Sequence, residues 1–217
     1  MTGADGGTLV LVPVRSPGEG KTRLATALSQ EERAALSGAM LADVTAALAA
    51  SRVGHVLVVA GGAPAAAAAS ALGLDVVLDP PTVRTLDAAV AAAASRLGPV
   101  PELLVVAADL PRLTGADVDA LLDCHAQVAV APTDDGGTGG LLRRPGAVVA
   151  TAYGPDSAAH HLAAARAAGV PHERIVRPGF AADVDTWADV TALTRGAVGA
   201  ATTAFLRSIS TRLEAAG

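Results

Sequence analysis

The 217 residues are 51% hydrophobic and 17% charged with a formal net charge of -5, a balance that supports one domain with a sizeable core and excludes disorder. Net negative charge argues against a general binder of phosphate backbones, and 2% aromatic content leaves too few rings for stacking on single-stranded nucleic acid. The lone Cys124 excludes an internal disulfide, residues 1–7 lack the basic start and apolar core of a secretion signal, and the alanine runs at 65–69 and 91–94 are too short to span a bilayer, so a reducing cytoplasm is the expected setting.

The first element is Leu9-Val10-Leu11-Val12-Pro13-Val14, a continuous apolar run with the pattern of a central strand in a parallel sheet. The loop leaving it, Arg15-Ser16-Pro17-Gly18-Glu19-Gly20-Lys21-Thr22-Arg23, stands where α/β sheets bind ligands. Its glycines let backbone approach a phosphate, and Lys21 can supply a point charge. Gly20-Lys21-Thr22 ends as a Walker A motif ends, but Arg15 occupies the place of the first glycine. A nucleoside-triphosphate loop of another kind is expected instead, with a solvated basic turn as the bland alternative.

Ser29-Gln30-Glu31-Glu32 has the capping-box form and predicts a helix to about residue 51. A buried strand His55–Ala60 follows, then a helix with Pro64 in its first turn that stops near Gly73. A short strand Asp75–Leu78 leads to the Asp79-Pro80-Pro81 turn, and a helix Leu86–Leu97 is stopped by Gly98-Pro99. Residues 102–108 read as a buried strand ending on Asp109-Leu110-Pro111. Thr114 with Asp117 then caps a helix to about residue 125, before a strand at 128–131. This alternation predicts an α/β fold with a mostly parallel sheet and right-handed crossovers.

After Pro132 the rhythm changes. Residues 133–140 read as a flexible loop, followed by two short strands around 141–143 and 147–150. Tyr153-Gly154-Pro155-Asp156-Ser157 leads into a helix ending at Gly169. Residues 175–176 and 181–184 look extended, Thr186-Trp187-Ala188-Asp189 caps another helix, and one apolar-faced helix is expected from about residue 197.

Asp109, where a strand meets a loop, suits a divalent cation, with a solvated helix-approach residue as the alternative. Asp183 and Asp185, two apart in an extended segment, can face one cation, while Thr186 takes the helix cap; a capping cluster is the alternative. Gly154 and Ser157 at a helix start offer an anion site, although ordinary capping also explains the serine. Thr138 presents a hydroxyl between Gly137 and Gly139. Asp87 opens a helix as a dipole-favouring acid or a nucleotide contact. His160 and His161 are neighbours that point to different sides of a helix and form no shared metal pair.

Val12-Pro13-Val14-Arg15, Lys21-Thr22-Arg23-Leu24, Asp109-Leu110-Pro111, Gly137-Thr138-Gly139, Tyr153-Gly154-Pro155-Asp156-Ser157 and Asp183-Val184-Asp185-Thr186 together resemble, in order, the 2-phospho-L-lactate/phosphoenolpyruvate guanylyltransferases of coenzyme F-420 biosynthesis, over residues 9–193. The resemblance implies a single nucleotidyltransferase domain of GT-A/Rossmann-like fold over residues 8–217, including a C-terminal helix, after a flexible lead-in at 1–7. It implies Mg2+ and GTP as co-reactants, a small phosphorylated acid as acceptor, and release of pyrophosphate, with neither nucleic acid nor a membrane span involved. A homodimer is left open. By the matching motifs, Pro13, Lys21, Arg23 and Asp87 would contact the nucleotide, and Lys21, Arg23 and Asp109 would carry catalysis. Asp109, Asp183 and Asp185 would hold the metal, and Thr138, Gly154 and Ser157 the acceptor.

The chain departs from the family at three places. Asp87 stands where asparagine is usual, Ala108 replaces a glycine, and Gly140-Leu141 replaces a threonine often followed by asparagine. A nucleotidyltransferase for another acceptor, of molybdenum-cofactor type, and a nucleotide-binding regulator without turnover are the alternative functions.

Overall fold

The apolar runs assemble into the centre of a seven-stranded sheet in a computed structural model that describes residues 7–15, 21–80 and 82–214. The lead-in at 1–6, the loop residues 16–20, Pro81 and residues 215–217 lie outside the described residues. The strands are β1 (Leu9–Val14), β2 (His55–Ala60), β3 (Asp75–Leu78), β4 (Leu103–Val106), β5 (Val128–Pro132), β6 (Thr138–Arg143) and β7 (His172–Arg174), in the spatial order β3-β2-β1-β4-β6-β5-β7. Pairing is parallel except around β6, which runs antiparallel to both β4 and β5. This is a mostly parallel mixed α/β sheet, as the strand–helix alternation predicts.

Alternation along the strands sends side chains to two cores. Val10 and Val12 pack under α1 (Gln30–Ala49), α2 (Ala63–Ala71) and α4 (Gly115–Leu122), while Leu11 packs on the other face under α3 (Leu86–Leu97) and α5 (Ser157–Ala167). A third cluster forms beyond α1, where Leu36 and Met40 meet Val184, Val190 and Phe205. It joins α7 (Trp187–Ala192), α8 (Ala200–Ser208) and α9 (Ser210–Glu214) to the domain; among the described residues no helix is long and apolar enough to cross a membrane.

Capping boxes start α1, α4 and α7 at Ser29, Thr114 and Thr186, the residues singled out from the sequence. The start of α8 is capped across the fold instead. Buried Asp43 of α1 accepts from the backbone N–H groups of Ala201 (2.9 Å) and Thr202 (2.8 Å), which satisfies two donors that a helix start leaves unpaired.

Several local expectations are corrected. The strand expected at 102–108 spans only Leu103–Val106, and α1 and α4 end at Ala49 and Leu122, short of residues 51 and 125. The glycine-rich loop is shorter than expected because pairing begins at Thr138, and no strand forms at 147–150. There Pro145 and Gly146 turn the chain, Val148 N–H donates to Pro145 O (2.9 Å), and the Arg143 guanidinium takes the Val149 carbonyl (2.9 Å). The extended pair expected at 175–176 lies at the end of β7, whose last rung is Ile175 N–H to Val130 O (2.9 Å). Residue 181 belongs to a single helical turn, α6 (Pro178–Ala181), which proline favours at its start. The C-terminal helix breaks at Ile209 into α8 and α9.

Phe180 of α6 is fully buried against β6. A Cβ at Gly139 would lie 2.8 Å from the Phe180 carbonyl oxygen, and one at Gly140 would lie 2.8 Å from its ring, so both glycines are required by this packing. Gly140, one of the family departures, therefore faces the core and not a ligand. Phe180→Ala should cost about 3–5 kcal/mol, measured as a lowered urea midpoint with an unchanged slope; a loss within error of zero would show that β6 is held without it.

Candidate active site

The carboxyl ends of β1 to β4 and the start of β6 open onto one cavity of about 380 Å³. Pro13, Lys21, Asp109, Thr138 and Asp185 line it, five residues from five separate sequence motifs. A wider, shallow depression near His125 and His172 gathers none of them.

Lys21 has a left-handed backbone (φ 55°, ψ 37°) at the head of a 3-10 turn, Thr22–Leu24. That conformation costs about 1–2 kcal/mol for a residue with a Cβ, and here it turns the side chain into the site. The ammonium donates to Asp109 Oδ2 (2.9 Å) and to the Val184 carbonyl, and lies 3.5 Å from Asp185 Oδ1. Burial alone would lower its pKa, but the two carboxylates outweigh burial and raise it. The α-helix that follows starts only at Gln30, not at Lys21-Thr22 as after a Walker A motif. Lys21 was expected on a triphosphate; in this structure its partners are the acids.

Val184 is buried in the third core; of its neighbours, Asp185 lines the cavity, while Asp183 does not but is near enough for the charges of Asp109 and Asp185 to act on it. Asp189 anchors the segment by accepting from Asp185 N–H (3.0 Å) and from the Thr186 hydroxyl (2.8 Å). Burial, with the charges of Asp109, Asp135 and Asp185, pushes the Asp183 carboxyl up to about 7. Such crowding of hard oxygen donors fits a divalent cation, which would remove the repulsion. Among the described residues no three acidic, His or Cys side chains converge into a complete cage. A cation with few protein ligands, completed by phosphate oxygens, is the kind that fits.

Thr138 is the centre of the opposite wall. Ala152 N–H donates to His161 Nε2 (2.9 Å), so the neutral ring carries its proton on Nδ1 and donates it to Thr138 Oγ1 (3.0 Å). Ser157 Oγ lies 3.0 Å from the same Thr138 oxygen. When Ser157 also donates, the Thr138 hydrogen is left for a ligand in the cavity. Tyr153 meets the His161 ring edge-on, with centroids 4.9 Å apart. Ser157, expected as a helix cap or acceptor contact, is buried beside Thr138 and outside the cavity lining, and Asp156 takes the N-cap position.

The helix-start amides also differ from expectation. Ser157 N–H donates to Gly154 O and Ala158 N–H to Gly136 O, both at 3.2 Å, so these two are already partnered. Gly154 (φ +140°) has open space where a Cβ would stand, but it does not line the cavity. Arg23 is exposed and outside the cavity wall, with its charge acting on Asp135. Asp87, expected as a first-turn acid or nucleotide contact, accepts at Oδ1 from Tyr153 N–H (2.9 Å), tying α3 to the turn before α5. It does not line the cavity.

Sequence reasoning missed His161, Arg33, Arg84 and Asp79. His161 carried a signal, since 157, 161 and 165 are one face of α5 and all are buried there. Arg33, Arg84 and Asp79 line the cavity from α1 and the β3–α3 connection, and no local motif marks them.

Burial holds the His161 imidazole down at about 4, below its ordinary 6.5. The unfolded chain therefore binds the proton first, so this contribution to stability is complete above pH 6.5 and is lost as pH falls toward 4. The displacement corresponds to roughly 3 kcal/mol. Urea titrations from pH 7.5 to about 4.5 should show a steep loss for the wild type and a shallower one for His161→Gln. Parallel profiles would contradict the buried neutral ring.

A family model described as "Guanylyl transferase CofC like" matches residues 8–216. Phosphoenolpyruvate guanylyltransferase of Nocardia farcinica is 40% identical over 92% of this chain and 90% of its own length. 3-Phospho-D-glycerate guanylyltransferase of Phenylobacterium zucineum is 35% identical over 94% of this chain and 98% of its own. Among solved structures, a nucleotidyl transferase from Methanothermobacter superposes with a TM-score of 0.62 at 18% identity, over 93% of this chain and 99% of that one, a likeness of fold. With the cavity at the sheet's carboxyl edge and a match over nearly the whole chain, the protein belongs to the CofC-like guanylyltransferase family.

Proposed function

We propose that this protein transfers GMP from GTP to the phosphate of a small phosphorylated three-carbon acid, releasing pyrophosphate, in coenzyme F-420 assembly. Phosphoenolpyruvate, 2-phospho-L-lactate and 3-phosphoglycerate are the candidate acceptors. The observation that carries this reading is the charge layout of one cavity: Arg15, Lys21, Arg33 and Arg84 line it together with Asp109 and Asp185, and Thr138 lies in the same wall. Cations suit a triphosphate, carboxylates suit the metal that accompanies it, and a hydroxyl suits the acceptor.

An oxygen of the acceptor's phosphate attacks the α-phosphorus of GTP. The new P–O bond forms as the bond to the β-phosphate bridging oxygen breaks, and pyrophosphate leaves with the electron pair. No general base is needed, because the acceptor phosphate is already deprotonated near neutral pH. Asp109 and Asp183, with Asp185, would hold Mg2+, which supplies charge neutralisation along the phosphates when bound. Lys21, with its flexible stem, can exchange the carboxylates it now holds for a phosphate oxygen. Thr138, held by His161 and Ser157, orients the acceptor.

Pyrophosphate release with GTP and Mg2+ across the three acceptors tests the proposal. Asp109→Asn and Asp183→Asn should each lower turnover by at least a hundredfold with the circular dichroism spectrum unchanged. Near-normal rates in either variant would remove that carboxylate from the metal site. GTP binding with no pyrophosphate from any acceptor would point to the regulator instead.

Acceptor docking is separable from nucleotide docking. Ser157→Ala should weaken the acceptor by roughly 1 kcal/mol, as a raised acceptor KM at saturating GTP. Gly154→Val should raise that KM much further, because a branched side chain at φ +140° strains the turn that carries Tyr153 and Ser157 behind Thr138. A rise confined to the KM for GTP would assign this turn to the nucleotide.

A further inference from the structure

Asp79 follows β3 directly, and its backbone N–H donates to Ala60 O (2.9 Å), which fixes it against the end of β2. It lines the same cavity as Lys21 and Thr138. Its Oδ1 is buried, and among the described residues no donor reaches it. Burial, only partly offset by the charge of Arg96, raises its carboxyl pKa. A desolvated acceptor on a side chain that lines a cavity is costly to the free protein, and a ligand that brings donors to this carboxylate recovers that cost.

In the strand order, β3 is three places from β4, the strand that leads to Asp109. At about 4.8 Å per strand, the two acids are roughly 14 Å apart along the sheet edge, a separation suited to the base and the phosphates of one nucleotide. The walls between them include Pro13, Val59, Val83 and Leu86, a lining suited to a flat ring.

We infer that Asp79, and not Asp87, selects guanine in the nucleotide. A carboxylate only accepts hydrogen bonds, and it accepts two side by side. Guanine's Watson–Crick edge presents N1–H and the N2 amine as adjacent donors. Adenine and cytosine each present one donor beside an acceptor, which would face a carboxylate lone pair. A site built to receive two donors rejects a base that lacks one, because its own buried oxygen is left bare.

This inference rests on the GTP reading proposed above, so binding and turnover are measured separately. Calorimetric titration with GTP, ITP and ATP in the presence of Mg2+ reads selectivity without chemistry. The wild type should bind GTP at least tenfold more tightly than ITP, which lacks the N2 amine, and more tightly still than ATP. Asp79→Asn offers one acceptor and one donor, the complement of adenine's edge, and should lower the GTP-to-ATP ratio by tenfold or more; Asp87→Asn should leave it unchanged. A merely structural role for Asp79 would weaken all three nucleotides equally, and that outcome overturns the inference. Equal wild-type affinity for GTP and ITP overturns it without any variant. Selective binding with no pyrophosphate release would defeat only the proposed transfer reaction, whereas turnover with an unchanged ratio in Asp79→Asn would defeat only the assignment of Asp79.

Discussion

Acidic side chains gathered at one edge of a sheet repel one another, and the site is arranged around that repulsion. Asp109 arrives from β4, Asp183 and Asp185 from the segment before α7, and Asp135 from the turn before β6. Burial together with their mutual charge pushes the Asp183 carboxyl up to about 7, and the Lys21 ammonium offsets part of the repulsion from a strained left-handed backbone. Strain and like charge are both tolerated here because Leu24 and Val184, on either side of the ion pair, are fully buried in the same core. The edge therefore favours any ligand that brings positive charge of its own.

The second constraint is the reversal of β6. A strand antiparallel to both neighbours brings its first residue, Thr138, to the end of the sheet where β1 and β4 finish. Phe180 determines how tightly that strand is covered, and Gly139 and Gly140 follow from the ring's position. The hydroxyl in the cavity thus depends on an aromatic side chain that touches no part of the site's chemistry.

Behind Thr138 the hydrogen bonds run through a neutral imidazole. His161 accepts from one amide and donates to the threonine, and Asp87 holds the neighbouring turn through Tyr153 N–H. A neutral buried imidazole supplies a directed donor without the cost of burying a charge. Asp87 in the place of asparagine is accommodated because its partner is a backbone donor, which either side chain can satisfy.

Local chemistry made much of this legible in advance. Apolar runs specified β1, β2 and β4, and the boxes at Ser29, Thr114 and Thr186 specified helix starts, because strand burial and capping depend on residues within a few positions of each other. The motifs likewise brought forward Lys21, Asp109, Thr138 and Asp185, which do share a cavity. What the sequence could not decide was partnership across distance. Whether Asp43 caps a helix 158 residues away, whether Ser157 reaches Thr138, and whether Asp87 or Asp79 keeps an unpartnered oxygen depend on which elements pack together. Each is a competition between protein donors and ligand donors for one acceptor, and only the tertiary structure determines which donors are near enough to win.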